Sequence, residues 1–268
     1  MDSSSISFTA HYTAQTWQEH GLSLPQLKTG AGEAMYRAMA PAERAGRVLL
    51  GTNLHAMLVE RHTTMDRLLG EILDGAPATQ VLEIACGLSA RGYRFSQSHP
   101  GIRYVEADLP RMAATKSALL AKVEGLSPEH KVVPIDILAA EGQHSLEAVL
   151  AAAFDRGRPI AVITEGLMNY FQLPVADGFW RRLVAALKHF PAGTYLTETY
   201  PVPDRALMRL VARAGAAGLR VISRSGAAIH FATDADAVAH LRRAGFGDVQ
   251  SHRPNGRSLV RIIVARTA

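Results

Sequence analysis

The chain has 268 residues, and 48% of them are hydrophobic, which suits one large α/β domain or a domain with a cap. No apolar run reaches the roughly 18 residues of a membrane span, so we expect no membrane partner. The start of the chain lacks the basic and apolar regions of a signal peptide. The single cysteine, Cys86, excludes an internal disulfide and fits a reducing, cytoplasmic location.

The formal net charge of +5 is spread unevenly. Residues 201–268 hold eleven arginines and four aspartates, whereas residues 1–200 hold eighteen basic and twenty acidic residues. A basic C-terminal quarter favours a nucleic-acid partner. Its arginines are scattered without interleaved aromatic residues, however, and a solvated face or a site for an anionic substrate explains them as well. We therefore expect a small-molecule substrate rather than nucleic acid, and the sequence leaves the oligomeric state open.

Residues 1–78 predict a helical cap in front of the main domain. Three aromatic residues are spaced along the polar background of the first 25 residues: Phe8, Tyr12 and Trp17. This segment is expected to wrap onto the core or to cover the active site. From residue 33 to residue 72 the apolar positions follow helical spacing, and Pro41 can open a new helix as its first residue. Residues 75–78 then close the helical region.

Residues 79–268 alternate strand and helix patterns, which predicts an α/β fold with a mostly parallel sheet and helices on both faces. Strands are predicted at 80–85, 102–107, 131–135, 160–164, 194–199, 248–253 and 258–265. Helices are predicted at 89–98, 111–123, 144–155, 174–189 and 234–244. Asn255 and Gly256 form a strong hairpin signal, so the seven-stranded sheet should end in an antiparallel hairpin. An insertion at about 201–231 would form a substrate lid, or else a plain surface excursion.

The most informative stretch is the end of the first strand, where Ala85, Gly87 and Ser89 form a turn of small residues. Asp108 ends the next strand, 21 positions after Gly87, and this is the layout of a nucleotide-binding βαβ unit. The turn lacks the glycines that bind a pyrophosphate, and Glu83 would oppose a pyrophosphate and favour a cation. The pattern therefore favours S-adenosylmethionine over NAD, with an ordinary strand–turn–helix as the plain alternative.

Four segments resemble the leucine carboxyl methyltransferase-like family. This is a branch of the class I S-adenosylmethionine-dependent methyltransferases that includes small-molecule O-methyltransferases of polyketide pathways. Residues 85–95 resemble the family's G-A-G-x-D-T-R-x-x-R-L, residues 105–110 with Lys116 its E-x-D-x-P…K, residues 164–170 its A-E-G-x-x-x-Y, and residues 61–67 its R-T-x-x-x-D. Ala85 replaces a family glycine, and Ser89 and Ala90 replace Asp and Thr. The resemblance implies a class I methyltransferase (Rossmann-like) fold.

The resemblance also implies roles at the adenosine end of the cofactor. Asp108 would bind the ribose hydroxyls, with Glu106 as the alternative because strand alternation puts both on one face. Asp136, next to Ile137, would accept a hydrogen bond from the adenine amino group, or else act as a helix N-cap. The small residues Ala85 and Gly87 would let the adenosine approach the backbone.

The methionine end of the cofactor needs charged partners. Glu165, next to Gly166, would face its amino group, since a carboxylate ending a buried strand needs a cationic or donor partner. Arg91 would pair with its carboxylate, and Arg61 is a second candidate.

Fewer residues are candidates for the acceptor side. Tyr170 would line the methyl-transfer pocket, or serve as a structural phenol. A carboxylate acceptor is already ionised and needs no general base, whereas a hydroxyl acceptor would benefit from one. His230, beside the expected lid, is the candidate base. Three arginines could hold a substrate anion: Arg209, Arg213 and Arg224.

Together these observations predict methyl transfer from S-adenosylmethionine to a carboxylate or hydroxyl oxygen of a small secondary metabolite, without a metal ion. Two alternatives stay open at this point. The basic C-terminal quarter suggests a methyltransferase that acts on RNA or protein. The altered turn residues suggest a non-catalytic protein that binds the cofactor.

Overall fold

The computed structural model describes residues 4–202, 229–255 and 258–267. Most of the predicted lid, including Arg209, Arg213 and Arg224, lies outside these residues. The helices are α1 Ser4–Glu19, α2 Gly30–Leu50, α3 Leu54–Gly75, α4 Arg91–Ser98, α5 Pro110–Leu120, α6 Leu146–Ala153, α7 Leu173–Leu187 and α8 Asp234–Ala244. The strands are β1 Gln80–Ile84, β2 Tyr104–Asp108, β3 His130–Pro134, β4 Ile160–Thr164, β5 Gly193–Thr199, β6 Asp248–His252 and β7 Arg261–Arg266. Two short 3-10 helices span Pro25–Leu27 and Met168–Tyr170.

The seven strands form one sheet in the order β3-β2-β1-β4-β5-β7-β6. Strands β1 to β5 pair in parallel, and β7 runs antiparallel to both of its neighbours, β5 and β6. The chain leaves β1 towards β2 and β3 and later returns to β4 on the other side. Such a reversal opens a crevice at the carboxyl ends of the strands, where ligands bind in open α/β sheets. The predicted fold class, with its antiparallel terminal strands, is confirmed.

Strand alternation divides the core into two layers. Leu82 and Ile84 of β1 face a cluster built from α6, α7 and α8. Val81 faces the other side, where Met65 and Leu69 of α3 pack against it. Helix α3 therefore shares a core with the sheet, and the division of the chain at residue 78 stays a prediction.

Helix α1 ties the N-terminal segment to this framework. The Tyr12 hydroxyl donates to Glu43 Oε1 of α2 over 3.1 Å, in a buried contact. Ala14 packs with Leu88 of the β1–α4 turn and with Met112 of α5. The prediction that the first residues wrap onto the core is confirmed.

Two local predictions are wrong. Helix α2 runs through Pro41, which therefore does not open a new helix; the helix begins after Thr29, whose side chain accepts from Gly32 N. Pro41 costs this helix one backbone hydrogen bond, on a solvent-exposed position where water can replace it. Strand β6 ends at His252 and strand β7 begins at Arg261 rather than Ser258, so more residues separate the two strands than the predicted turn of four. Within the described ranges, no helix has both the length and the hydropathy that a bilayer crossing needs.

Gly92 lets α4 approach β2 closely. A Cβ at this position would lie 2.6 Å from His130 Nε2 and 2.7 Å from Glu106 Oε1. The Gly92 backbone N–H donates to the same Glu106 oxygen over 3.3 Å. Only a residue without a side chain leaves room for these buried groups.

We expect Gly92→Ala to lower the free energy of unfolding by about 1–3 kcal/mol, because the added methyl group must displace a buried, bonded carboxylate. Urea denaturation measures this change. Gly178→Ala is the matched control, since its Cβ would meet nothing within 4 Å on helix α7. The control should be neutral, or more stable by up to about 1 kcal/mol. Equal stability of the two variants would show that α4 has room to shift.

Candidate functional site

The turn after β1 brings the backbone and Asp108 together. Ala85 and Gly87 adopt φ values of 55° and 48°, in the left-handed region that small residues tolerate best. The Gly87 N–H donates to Asp108 Oδ2 over 2.8 Å, and the Leu109 N–H donates to Oδ1 over 2.8 Å. Burial raises the pKa of Asp108 against the lowering effect of these two donors. Asp108 is thus held at the carboxyl end of β2, directed at the turn.

Helix α1 lies against this turn. A Cβ built on Gly87 would lie 3.4 Å from the Ala10 side chain. Farther along α1, the Trp17 ring packs on the His62 ring with a centroid distance of 4.3 Å. The helix therefore borders the crevice from the turn to α3.

Glu106 occupies a different environment from Asp108. It is fully buried, and its carboxylate pairs with Lys116 Nζ over 2.9 Å and His130 Nε2 over 3.0 Å. Burial alone would raise the pKa of Glu106, but Lys116 and the hydrogen bond to His130 hold it below its ordinary value. Of the two candidates for a ribose ligand, Glu106 is committed to Lys116 and His130, and Asp108 is the one bonded to the turn.

Arg91 lies at the centre of a buried ion cluster. It is fully buried at the start of α4 and contacts three carboxylates: Asp66 over 2.5 Å, Glu83 over 2.7 Å and Glu165 over 2.6 Å. Burial lowers the pKa of Arg91, but the carboxylates outweigh it and keep the guanidinium charged. Glu83 also accepts from the Tyr104 hydroxyl over 2.7 Å.

Glu165 has partners on both of its oxygens. Oε1 accepts from Arg61 Nε over 2.8 Å, and Oε2 lies 2.8 Å from His62 Nδ1 and 2.6 Å from Arg91 Nη2. Burial raises the pKa of Glu165, but the charges of its neighbours hold it well below its usual range. The structure thus brings Arg61, Arg91 and Glu165 together, although the sequence assigned them to different groups of a cofactor.

Glu198 is a buried residue of the site that sequence reasoning missed. It lies near the end of β5 with 3% of its surface exposed, and its Oε1 accepts from the Gly166 N–H over 2.9 Å. Its Oε2 is buried and has no hydrogen-bond partner among the residues that the structure describes. Burial raises the pKa of Glu198 to about 7. Its signal was present in the sequence, since a carboxylate two positions after Leu196 lies on the buried side of a predicted strand.

Arg61 links Glu198 to the ion cluster. Its Nη1 donates to the Tyr200 hydroxyl over 3.0 Å, and its charge is among those that lower the pKa of Glu198. Burial raises the pKa of Tyr200 to about 12, so this phenol stays protonated at neutral pH. His62 and Tyr200 therefore also belong to the site, although the sequence predictions gave neither residue a role.

The remaining predicted residues lie around this crevice. Asp136 follows β3, and its Oδ1 accepts from the Leu138 N–H over 2.9 Å in a local turn. Ile137 beside it is buried in the core. Tyr170 ends the 3-10 helix that follows β4 and is half-buried.

His230 is held by a backbone contact. Its Nε2 lies 2.8 Å from the Phe171 carbonyl oxygen, and its ring meets Trp180 edge-on. Because Nε2 must carry the proton that this carbonyl accepts, Nδ1 is the acceptor nitrogen of the neutral ring. Burial lowers the pKa of His230 and favours that neutral ring. Across the described part of the chain, no three His, Cys, Asp or Glu side chains are grouped so that they could hold a metal ion.

This sheet order, with a small-residue turn after β1 and an acidic residue ending β2, defines a class I methyltransferase fold. The chain belongs to the leucine carboxyl methyltransferase family, whose profile matches residues 25–180. The family prediction is therefore confirmed.

Individual comparisons agree with this assignment. A protein of Mycolicibacterium vanbaalenii named "Putative S-adenosyl-L-methionine-dependent methyltransferase" is 35% identical over 47% of this chain and 39% of its own length. A DUF574 family protein from Streptomyces avermitilis shares the fold over 97% of both chains, with a TM-score of 0.65 and 16% identity. PigF, solved with SAH, shares it over 71% of this chain and 56% of its own, with a TM-score of 0.51 and 16% identity. The chain spans less than two thirds of the length of the curated relatives it matches.

We expect Glu198→Gln to change how stability depends on pH. The pKa of Glu198 is about 7 in the folded protein and ordinarily 4.5, so the folded state binds this proton more tightly than the unfolded chain. The stabilisation is fully present below about pH 4.5 and is lost as the pH rises through about 7. Glutamine does not titrate, so from pH 4.5 to 8 the variant should gain about 1–3 kcal/mol relative to the wild type.

Denaturant unfolding at a series of pH values measures this difference. Glu124→Gln, on an exposed residue of the loop after α5, is the matched control and should differ from the wild type by a constant amount. A constant difference for Glu198→Gln as well would mean that Glu198 ionises as freely as a surface carboxyl.

Proposed function

We propose that this chain is an S-adenosylmethionine-dependent methyltransferase that transfers a methyl group to an oxygen atom of a small metabolite in the cytoplasm. The observation that carries the proposal is the contact between Asp108 and the Gly87 turn. It places a carboxylate at the end of β2 beside a turn of small residues. This is the arrangement that a ribose without phosphate groups requires.

The residues of the crevice fit this cofactor. Asp108 offers acceptor oxygens for the ribose hydroxyls, and Asp136 lies one strand farther out, where an adenine amino group would need an acceptor. Arg61, with Glu165, supplies both signs of charge for the carboxylate and ammonium of the methionine end. The names of the curated relatives and the SAH in PigF support the same ligand.

Methyl transfer requires the protein to align the acceptor with the methyl group and to exclude water. It does not require a covalent bond to the protein. When bound, the cofactor supplies an activated methyl group on its sulfonium. Burial of Arg61, Glu165 and Glu198, with α1 beside the turn, provides a site from which bulk water is removed. A fixed geometry of this kind converts the encounter of two molecules into an in-line displacement within one complex.

Two separate observations support oxygen as the methylated atom and a small metabolite as the acceptor. The family takes its name from methylation of a carboxyl group, whose reacting atom is oxygen. Two of the C-terminal arginines that suggested RNA are paired: Arg261 with Asp234 over 2.7 Å and Arg266 with Asp248 over 3.0 Å. Paired arginines contribute little to an open basic surface, which favours a small metabolite over nucleic acid.

We expect Asp108→Asn to weaken the binding of S-adenosylmethionine and S-adenosylhomocysteine by about 1–3 kcal/mol, or about 5- to 150-fold. Asparagine can still accept from the Gly87 N–H but loses the charge and one acceptor that the ribose needs. Titration calorimetry measures the affinity. Asp177→Asn, at a surface pair with Arg181, is the matched control and should bind like the wild type.

Three outcomes would contradict the assignment in different ways. Unchanged affinity in Asp108→Asn would move the ribose contact to Glu106. Failure of the wild-type protein to bind either compound would refute the cofactor itself. Tight binding without methyl transfer to any acceptor would favour a cofactor-binding protein without catalytic activity.

A further inference from the structure

Four glutamates line one face of the sheet near the carboxyl ends of its strands. They are Glu106 on β2, Glu83 on β1, Glu165 after β4 and Glu198 on β5. The register shows this directly, because Glu83 pairs with Glu106 and with Ile163, and Ile163 pairs with Leu196. Glu165 and Glu198 each follow two positions later, on the same face.

Three of these carboxylates have charged partners in direct contact. Glu106 pairs with Lys116, Glu83 pairs with Arg91, and Glu165 pairs with Arg61 and Arg91. Glu198 differs, because it accepts from the Gly166 N–H rather than from a charged side chain, and its Oε2 is buried without a partner in the described structure. A buried carboxylate oxygen without a hydrogen-bond donor lowers the stability of the fold unless a bound molecule supplies that donor.

The position of Glu198 in the sheet indicates whether the cofactor or the methyl acceptor would be the partner of this oxygen. In the sheet order, β5 lies three strands beyond β2, or about 14 Å from the strand that carries Asp108. The ribose is assigned to Asp108 and the methionine end to the neighbourhood of β4, so the reacting group lies farther along the same edge. Glu198 is therefore placed beside the acceptor rather than beside the nucleoside.

We propose that Glu198 is the general base of the reaction and that the acceptor is a hydroxyl group, an inference that rests on the proposed function. The acceptor O–H donates to Glu198 Oε2 and gives up its proton to that oxygen. The freed lone pair forms the new oxygen–carbon bond while the bond from carbon to sulfur breaks, and the sulfonium becomes a neutral thioether. The proton on Glu198 later leaves to solvent with the product.

The surroundings of Glu198 suit proton transfer near neutral pH. Arg61 of α3 favours its ionised form, whereas Glu165 after β4 and the burial of the site favour its protonated form. Tyr200, directly after β5, stays protonated and therefore adds no charge next to Glu198. From β7, the neighbouring Arg261 pairs with Asp234 instead. A carboxylate acceptor would meet two buried glutamates and needs no base, so a hydroxyl fits the site better.

A first experiment uses the full chain saturated with S-adenosylhomocysteine and labelled with carbon-13 at the glutamate carboxyls. Glu198→Gln identifies the Glu198 resonance, and an NMR titration then gives its pKa. The proposal expects a value of about 6–8, suited to a base at neutral pH. A value below about 5 with this probe bound would show that the cofactor ammonium sits on Glu198, which overturns the role as base.

A second experiment measures methyl transfer to phenol, as a minimal hydroxyl probe, and to benzoate, as a minimal carboxylate probe. Glu198→Gln should lower kcat for phenol by about 10²- to 10⁴-fold, while its affinity for S-adenosylmethionine changes less than about threefold. Glu198→Asp, which keeps a carboxylate, should recover part of the rate, and Glu124→Gln should match the wild type.

The outcomes separate this inference from the proposed function. Unchanged kcat in Glu198→Gln, or methyl benzoate as the sole product of the wild type, overturns the inference while leaving a methyltransferase. Failure of the wild type to bind S-adenosylmethionine overturns the proposed function instead.

Discussion

The buried guanidinium of Arg91 is the interaction on which the rest of the site depends. It joins Asp66 of α3, Glu83 of β1 and Glu165 after β4, so three separate parts of the fold meet at one side chain. Burying these charges is expensive, and their mutual attraction repays the cost only while every partner is present. Removing one partner would leave uncompensated charge in the core, at a cost of about 3–5 kcal/mol. The cluster therefore fixes how α3 and α4 sit over the sheet.

That constraint determines what the crevice can offer a ligand. Arg91 holds Glu83 and Glu165 in place within the cluster. Asp108 and Glu198 stand outside the cluster, one at each end of the row of strand termini. Asp108 is bonded only to backbone N–H groups, and Glu198 keeps one oxygen without a partner in the described structure. The protein thus offers hydrogen-bonding carboxylate oxygens at the two positions where the sugar and the molecule to be methylated would lie.

Much of the fold could be predicted from periodicity and turn signals. Strand β4 and helix α8 begin and end at the predicted residues, because each is bounded by clear breaks in the pattern. Helix α2 was misjudged because proline is disfavoured inside helices, yet an exposed position tolerates it. The turn and Asp108 could be found because they lie 21 positions apart in one βαβ unit.

The ion cluster could not be predicted in the same way. Arg91 meets Asp66 across 25 positions and Glu165 across 74, and no local pattern encodes contacts over such distances. The sequence therefore assigned Arg91 and Glu165 to different groups at the methionine end of a cofactor, whereas the structure pairs them with each other. Glu198 was missed because an acidic residue in a strand usually faces solvent, although its spacing from Leu196 places it on the buried side.

The most direct test of this account is a crystal structure of the full chain grown with S-adenosylhomocysteine. We predict ribose hydroxyls within hydrogen-bond distance of Asp108, the methionine end near Glu165, and Glu198 Oε2 beyond the sulfur atom, on the side away from the ribose. A ribose bound to Glu106, or a ligand held away from the Gly87 turn, would contradict the account.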